Sequence, residues 1–207
     1  MNNIIISGPD GVGKSTISKH LILEFKENGH EIFPIWLRFN HYLSKIVNFY
    51  GRLTGRSYYE KYSWGEIGYH DYKGVLGLLY IYSSYIDQLI FNNLLKRLYV
   101  RKDKTYVIDR FLIDTVVDLI VDTDKEKIIL DLFCDLIMKE IKTSNIFILK
   151  CDKEIVYQRR TDILDDKNYE KKIEAFKKVA LYFNIQVIDT GKLSINTIVH
   201  KISDLVK

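Results

Sequence analysis

Cysteine is almost missing from this 207-residue chain: Cys134 and Cys151 are the two present, with no Cys-x-x-Cys spacing and no histidine cluster beside either. That argues against a disulfide scaffold and against a zinc site, and it implies a reducing compartment. Long hydrophobic runs are scarce as well. Ile4-Ile5-Ile6 is too short for the core of a signal peptide and leads at once into a glycine loop. The longest apolar stretch, residues 75–95, is broken by Ser83, Ser84, Asp87, Gln88, Asn92 and Asn93, a pattern that suits a buried core helix better than a membrane span. No excess of one charge stands out: 31 Lys and Arg against 27 Asp and Glu give +4, far from a nucleic-acid-binding stripe but compatible with small polyanionic ligands. No proline- or serine-rich linker, internal repeat or low-complexity tract divides the chain. The expectation is one cytoplasmic domain over residues 1–207, with neither membrane nor nucleic acid as partner.

What is present is alternation. Short apolar runs rich in Ile, Val, Tyr or Phe predict strands at 3–7, 31–36, 105–109, 145–150 and 185–189, and longer helix-like segments separate them. This is the pattern of an α/β domain: a five-stranded parallel sheet flanked by helices. In such sheets ligands gather at the carboxyl ends of the strands, so Gly8, Arg38, Asp109, Arg110 and Thr190 should share one rim. Val75, Leu78, Leu79, Tyr82, Ile86, Leu89 and Ile90 recur at helical spacing as one apolar stripe, with Tyr80, Ser84 and Asp87 or Gln88 on a different face.

The strongest signal is Gly8-Pro9-Asp10-Gly11-Val12-Gly13-Lys14-Ser15-Thr16, a complete GxxxxGK[ST] sequence preceded by a strand and followed by a helical pattern from Ser15. Such a loop folds its backbone N–H groups around phosphates at the positive end of a helix. Lys14 then reaches the β- and γ-phosphates of ATP, and the Ser15 hydroxyl completes the shell of Mg2+. Lys14 should lie in an exposed loop, so its truncation should leave the fold intact. Asp71-Tyr72-Lys73-Gly74 matches the DxxG of GTPases, but it is predicted to follow an aromatic loop rather than a strand, and the base-reading NKxD of that class is absent. Tyr106 to Asp109 ends in Asp-Arg, not the Asp-Glu of motor and AAA-type ATPases.

Asp109-Arg110-Phe111 resembles the Asp-Arg-aromatic motif of thymidylate kinases, and the wording of the glycine loop is similar to theirs, including the acid at its third position. Residues 152–160 and 169–183 resemble the helices on either side of that family's lid, and 188–206 its closing strand and last helix. The resemblance implies a P-loop NTPase fold with a short lid at about residues 159–168. It implies ATP-dependent transfer to a (deoxy)nucleoside monophosphate, dTMP first, and a homodimer. It places Arg38 and Arg110 on the acceptor phosphate, Asp109 on the magnesium waters and Asp10 on the acceptor's sugar hydroxyl. Tyr80 and Ser84 fall on the base, and catalytic arginine comes from the lid, as Arg159 or Arg160.

The residues themselves leave alternatives open. Arg110 could be a structural ion pair, and Asp109 could simply pair with Lys14 or Arg110. An arginine at 38 rather than a glutamate favours an anionic acceptor over a hydroxyl, which would need a base. With an alcohol or nucleoside as acceptor, Asp10 becomes that base. A catalytically poor nucleotide-binding protein is the third reading. The chain also departs from the family: Ser84 stands where an arginine is expected, and Asp114, Thr115 and Asp118 replace small, amide and aromatic residues. An aromatic segment, Tyr58 to Tyr72, occupies the place of a glutamate- and glycine-rich turn. It should pack against the protein or a partner, or cap a base pocket.

Overall fold

The computed structural model describes residues 2–37, 42–101 and 103–206, the side chains of Leu95, Arg97 and Tyr99 excepted. Arg38 lies outside the described residues. Five strands form a parallel sheet in the order β2 (Ile32–Trp36), β5 (Thr105–Asp109), β1 (Asn3–Ser7), β6 (Ser144–Lys150), β7 (Gln186–Asp189). Each begins within one residue of its predicted start and ends on its predicted last residue. The pleat sorts Ile4 and Ile6 to one side and Ile5 to the other, and each side is covered. The first face meets α1 (Lys14–Glu27) through Ile17, Leu21 and Phe25, and α9 (Ile195–Val206) through Ile198 and Ile202. The second meets α5 (Leu112–Thr123) and α6 (Glu126–Thr143).

The chain passes from β1 to β2 on one side of β1, and later from β5 to β6 on its other side. Ligand crevices of open α/β sheets form at such a reversal, outside the carboxyl ends of the strands. Ile6 is in register with Asp109 and Ser7 with Ile148, which brings the loops after β1, β5 and β6 to one edge.

The aromatic segment is a two-stranded antiparallel hairpin, β3 (Ser57–Tyr62) and β4 (Gly65–His70). Asp71-Tyr72-Lys73-Gly74 therefore does follow a strand, contrary to the sequence-based expectation, although that strand belongs to the hairpin and not to the parallel sheet. Before the hairpin runs α2 (Ser44–Leu53). After it, α3 (Gly74–Ile90) continues through Phe91–Leu95 into the short α4 (Lys96–Tyr99).

Helix α3 reverses the expected orientation. Its polar face is the buried one: Tyr80, Ser84, Asp87 and Gln88 are inside, whereas Val75, Leu79, Tyr82 and Ile86 of the apolar stripe are 73, 56, 50 and 43% exposed. The physical reason is that the inner residues serve polar partners. The carboxylate of Asp87, fully buried, accepts hydrogen bonds from the backbone N–H groups of Tyr42, Leu43 and Ser44 and from the Ser44 hydroxyl, at 2.6–3.0 Å. It caps the amino end of α2 from a neighbouring helix, satisfying donors that a helix cannot pair internally. By length and composition, residues 74–94 form a helix apolar enough to cross a membrane, with 39% of it buried; its inner polar face ties it to α2.

Asp87→Asn is therefore expected to lower the unfolding free energy by about 2–3 kcal/mol, since a charge-assisted acceptor is replaced partly by a donor facing N–H groups. Urea titration of the two proteins measures it. A change below about 0.5 kcal/mol, the scale of a neutral surface substitution, would remove Asp87 from this role.

Candidate functional site

The glycine-rich loop between β1 and α1 is built by close approach. Gly8 has φ 145°, and a side chain there would collide with the Leu149 carbonyl of the neighbouring strand. Gly11 has φ 80°, and a Cβ would lie 2.5 Å from Val156 and from Ile163. These are places where only glycine avoids both strain and overlap. Side chains hold four carbonyls of the loop. The Lys14 ammonium donates to those of Gly8 and Pro9, both at 2.7 Å, the Tyr169 hydroxyl to that of Asp10 at 3.1 Å, and the Thr190 hydroxyl to that of Val12 at 2.7 Å. Helix α1 starts at Lys14 with no acidic residue in its first turn and no side chain capping its end. With the carbonyls held back, the N–H edge of the loop and first turn can wrap an anion.

Lys14 corrects an expectation. It is 6% exposed, not a surface residue. Burial, and then the Arg110 cation, push its pKa down to about 8 against the pull of Asp10. The Asp10 carboxylate lies 3.8 Å from the Lys14 ammonium and pairs with the Arg110 guanidinium. Arg110 has φ 65°, an uncommon left-handed conformation for a side-chain-bearing residue, and its N–H donates to the Ile6 carbonyl at 3.0 Å. So of the roles open to it, the structure places Arg110 in an ion pair, one made with a loop carboxylate at the ligand rim.

The Ser15 hydroxyl donates to one Asp109 oxygen at 3.0 Å, whereas the other Asp109 oxygen is buried with no hydrogen-bond partner. Asp109 thus pairs with neither Lys14 nor Arg110 but with the predicted magnesium ligand. A hydroxyl and a carboxylate with an orphaned oxygen are hard donors that fit a small divalent cation. Among the described residues no group of three or more His, Cys, Asp or Glu could hold a metal by itself. These two residues would therefore share the ion with the ligand and water, as magnesium sites do.

Two cavities open at this rim. One, about 640 Å³, lies over residues 10–17 and is walled by Arg110, Arg159, Arg160 and by Thr190, Leu193, Ser194, Ile195 and Ile198 of the β7–α9 region. Arg159 belongs to α7 (Lys153–Arg159) and donates to the Thr190 carbonyl at 3.4 Å; Arg160 pairs with Asp162. The other cavity, about 690 Å³, runs between α2, α3, α5 and the hairpin, and Tyr80, Ser84, Thr115 and Asp118 line it. Asp10 and Arg160 line both. Of the sequence-predicted residues, Gly8 and Asp109 line neither cavity, and the other described ones divide between two chambers that meet at a carboxylate and a guanidinium.

The presumed lid segment is a single 3-10 turn, Thr161–Asp165, leading to α8 (Tyr169–Tyr182). The hairpin grips it. Tyr62 and Tyr69 hydroxyls donate to the Asp165 carbonyl, the Trp64 indole N–H donates to the Asp165 carboxylate at 2.7 Å, and Lys167 pairs with Glu60. The aromatic segment is accordingly both packing and wall, for Tyr59, Trp64 and His70 also line the second cavity.

Sequence reasoning missed Lys172 and Asp122, both of which line the second cavity. Burial alone would lower the Lys172 pKa, but facing Asp166 and Asp118, and the 2.7 Å bond to Asp166, outweigh it and hold the pKa above the ordinary lysine value. A lysine three residues into a helix carries no motif signal. Asp122 stood in plain view, four residues from Asp118 on a predicted helix. Asp114 has a structural role: one of its carboxylate oxygens accepts from Ser7 at 2.7 Å and from the N–H of Phe111, joining β1 to the start of α5.

The sequence matches no protein-family model and no curated protein.

The Lys14 environment has a pH signature. Its folded pKa of about 8 is below the unfolded value of 10.5, so below pH 8 both states hold the proton and the fold bears the full cost of the buried ammonium. Between pH 8 and 10.5 only the unfolded state keeps it, so this residue's contribution to stability rises with pH there. The unfolding free energy of the native protein relative to Lys14→Met should increase by about 2–3 kcal/mol between pH 7.5 and 10. A pH-independent difference between the two would mean that Lys14 is not buried as described.

Proposed function

We propose that the protein is a cytoplasmic P-loop kinase of the thymidylate kinase type that transfers phosphate from ATP to a (deoxy)nucleoside monophosphate. The observation that carries this reading is the meeting of two ligand-sized chambers at Asp10 and Arg160. One is floored by the glycine-rich loop, and the other has room for a second nucleotide. Two substrates bound head to head would bring a donor phosphate and an acceptor to one point, which is most of what phosphoryl transfer requires.

In this reading the triphosphate lies along the loop and the first turn of α1, with Lys14 exchanging the Gly8 and Pro9 carbonyls for phosphate oxygens. Its base rests against Leu193, Ile195 and Ile198. Ser15 and Asp109 would hold magnesium, and the ion would neutralise charge on the phosphates. An oxygen of the acceptor phosphate attacks the γ-phosphorus, the bond to the bridging oxygen breaks, and ADP leaves. Arg110 is fixed by its backbone at the point of transfer, and Arg159 and Arg160 flank it from the end of α7, so that three guanidiniums face the developing charge. A monophosphate is already an anion and needs no base.

A hydroxyl acceptor is the second reading, favoured by one observation: among the described residues, the second chamber is lined by six carboxylates against four Lys or Arg. There Asp10, at the junction, would take the hydroxyl proton. ADP release measured against nucleoside monophosphates and nucleosides decides between them. Turnover of monophosphates alone supports the first reading and of nucleosides alone the second, and none at all leaves a nucleotide-binding protein. Lys14→Ala should abolish turnover. Arg38→Ala should lower kcat/KM for a monophosphate by about 10²–10³, the scale of one preorganised donor, with ATP binding unchanged. Unchanged acceptor kinetics would remove Arg38 from the acceptor phosphate.

The apolar outer face of α3, with exposed Ile46, Phe49, Tyr50 and Leu53 of the adjoining α2, supports a homodimer through these helices. Monomers rarely leave so continuous an apolar face in water. Sedimentation at micromolar concentration should give twice the chain mass, and Leu79→Glu should give the monomer. A native protein that sediments as a monomer defeats this assignment.

A further inference from the structure

The wall of the second chamber opposite the hairpin is formed by α3 and α5, and neither helix contains a single Lys, Arg or His. Among the described residues, the cations of this chamber come from elsewhere: Lys45 and Arg52 from α2, Arg160 from the end of α7, Lys172 from α8. What α3 and α5 present instead is oxygen. Asp118 and Asp122 stand one helical turn apart and both line the chamber, together with the hydroxyl-bearing residues Tyr80, Ser84 and Thr115. The Tyr80 phenol is held well above its ordinary pKa by burial and by Asp122 and Asp118, so it stays protonated beside them. Ser84 is 1% exposed, and its hydroxyl has no hydrogen-bond partner although it lines the chamber. A buried hydroxyl left unpaired is costly, and a ligand atom would relieve that cost.

Carboxylates accept hydrogen bonds and cannot donate. A carbonyl oxygen of a base directed at them would be repelled, and an exocyclic amine would be bound. On the kinase reading given above, we propose that the acceptor's base carries an exocyclic amine, as guanine, adenine and cytosine do, and that Asp118 and Asp122 read it with Ser84. Thymine and uracil, whose polar edges offer two carbonyls around a single N–H, are rejected by the same wall. Asp118 and Asp122 are then specificity-determining residues, and the phosphate end of the acceptor points towards Asp10, Arg160 and the cations beyond.

The test is calorimetric titration of the protein, loaded with ADP and magnesium, with the deoxynucleoside 5′-monophosphates of guanine, adenine, cytosine, thymine and uracil. Phosphoryl transfer from ATP to the same five is measured alongside. At least one amine-bearing nucleotide should bind about tenfold or more tightly than those of thymine and uracil, the discrimination expected of a carboxylate paired with a base edge. Asp118→Asn or Asp122→Asn should remove that preference, with ADP affinity unchanged. Ser84→Ala should weaken the preferred nucleotide severalfold. Binding with this preference but without transfer would sink the kinase reading and leave the present one standing. If ADP itself does not bind, the donor site is misassigned and the titration is read on the unloaded protein. The inference is overturned if thymine or uracil nucleotides bind as tightly as any other. It is also overturned if the preference survives both substitutions, or if none of the five binds.

Discussion

Everything at the ligand rim depends on one electrostatic arrangement, the buried ammonium of Lys14 set between loop carbonyls, the Asp10 carboxylate and the Arg110 guanidinium. Burial is the main cause of the Lys14 pKa of about 8, and the Arg110 cation adds to it against the pull of Asp10, Asp114 and Asp109. Among the described residues, the cavity over the loop is lined by Lys14, Arg110, Arg159 and Arg160 against one carboxylate, Asp10, an excess of cations. The loop is built so that this excess cannot relax away. Gly8 lies against β6, Thr190 ties Val12 to the end of β7, and Tyr169 reaches across from α8 to the Asp10 carbonyl. The site therefore holds a positive charge that an anion would stabilise and that the protein alone does not satisfy, which is the thermodynamic meaning of preorganisation.

How far this was legible in the sequence follows from how local each signal is. β1, the glycine-rich loop and the start of α1 were readable because strand period, glycine spacing and helix onset all fall within 20 residues. The five strands were readable for the same reason: a short apolar run carries its own signature, both where it is buried on two faces, as in β1, β5 and β6, and where it is half-exposed at the sheet edge, as in β2 and β7. The electrostatic environment of Lys14 was not readable, because Arg110 and Asp114, two of the charges that act on it, join the loop from about 100 residues away. Nor was the hairpin at Ser57–His70. Its residues alternate weakly, its strands pair only with each other, and its partner Asp165 lies about 100 residues further on.

Helix α3 is the instructive failure. Its apolar period was real, yet periodicity reports only that two faces differ, and burial was assigned to the wrong one. Asp87 reverses the sign, since a carboxylate that takes four hydrogen bonds from the start of α2 has more to gain inside than a leucine has. Once the polar face turns inward, the apolar one must turn outward. So the same residue that fixes α2 also leaves an apolar face exposed on α3. Tyr80 and Ser84, suggested by resemblance as base contacts, come to line the second chamber through this inversion.

The second chamber and the segment around Ile163 are consequently one mechanical unit. Ile163 packs on Gly11 in the loop, while Asp165, two residues on, is held by three aromatic side chains of the hairpin. Lifting the 3-10 turn would uncover the glycine-rich loop and, in the same motion, withdraw Asp162 and Arg160 from the chamber wall. In the proposed kinase this would make exclusion of water from the donor phosphates conditional on a filled acceptor chamber. That coupling keeps ATP from being spent on water. In that kinase the hairpin, through its hold on Asp165, would transmit the filling of one chamber to the closure of the other.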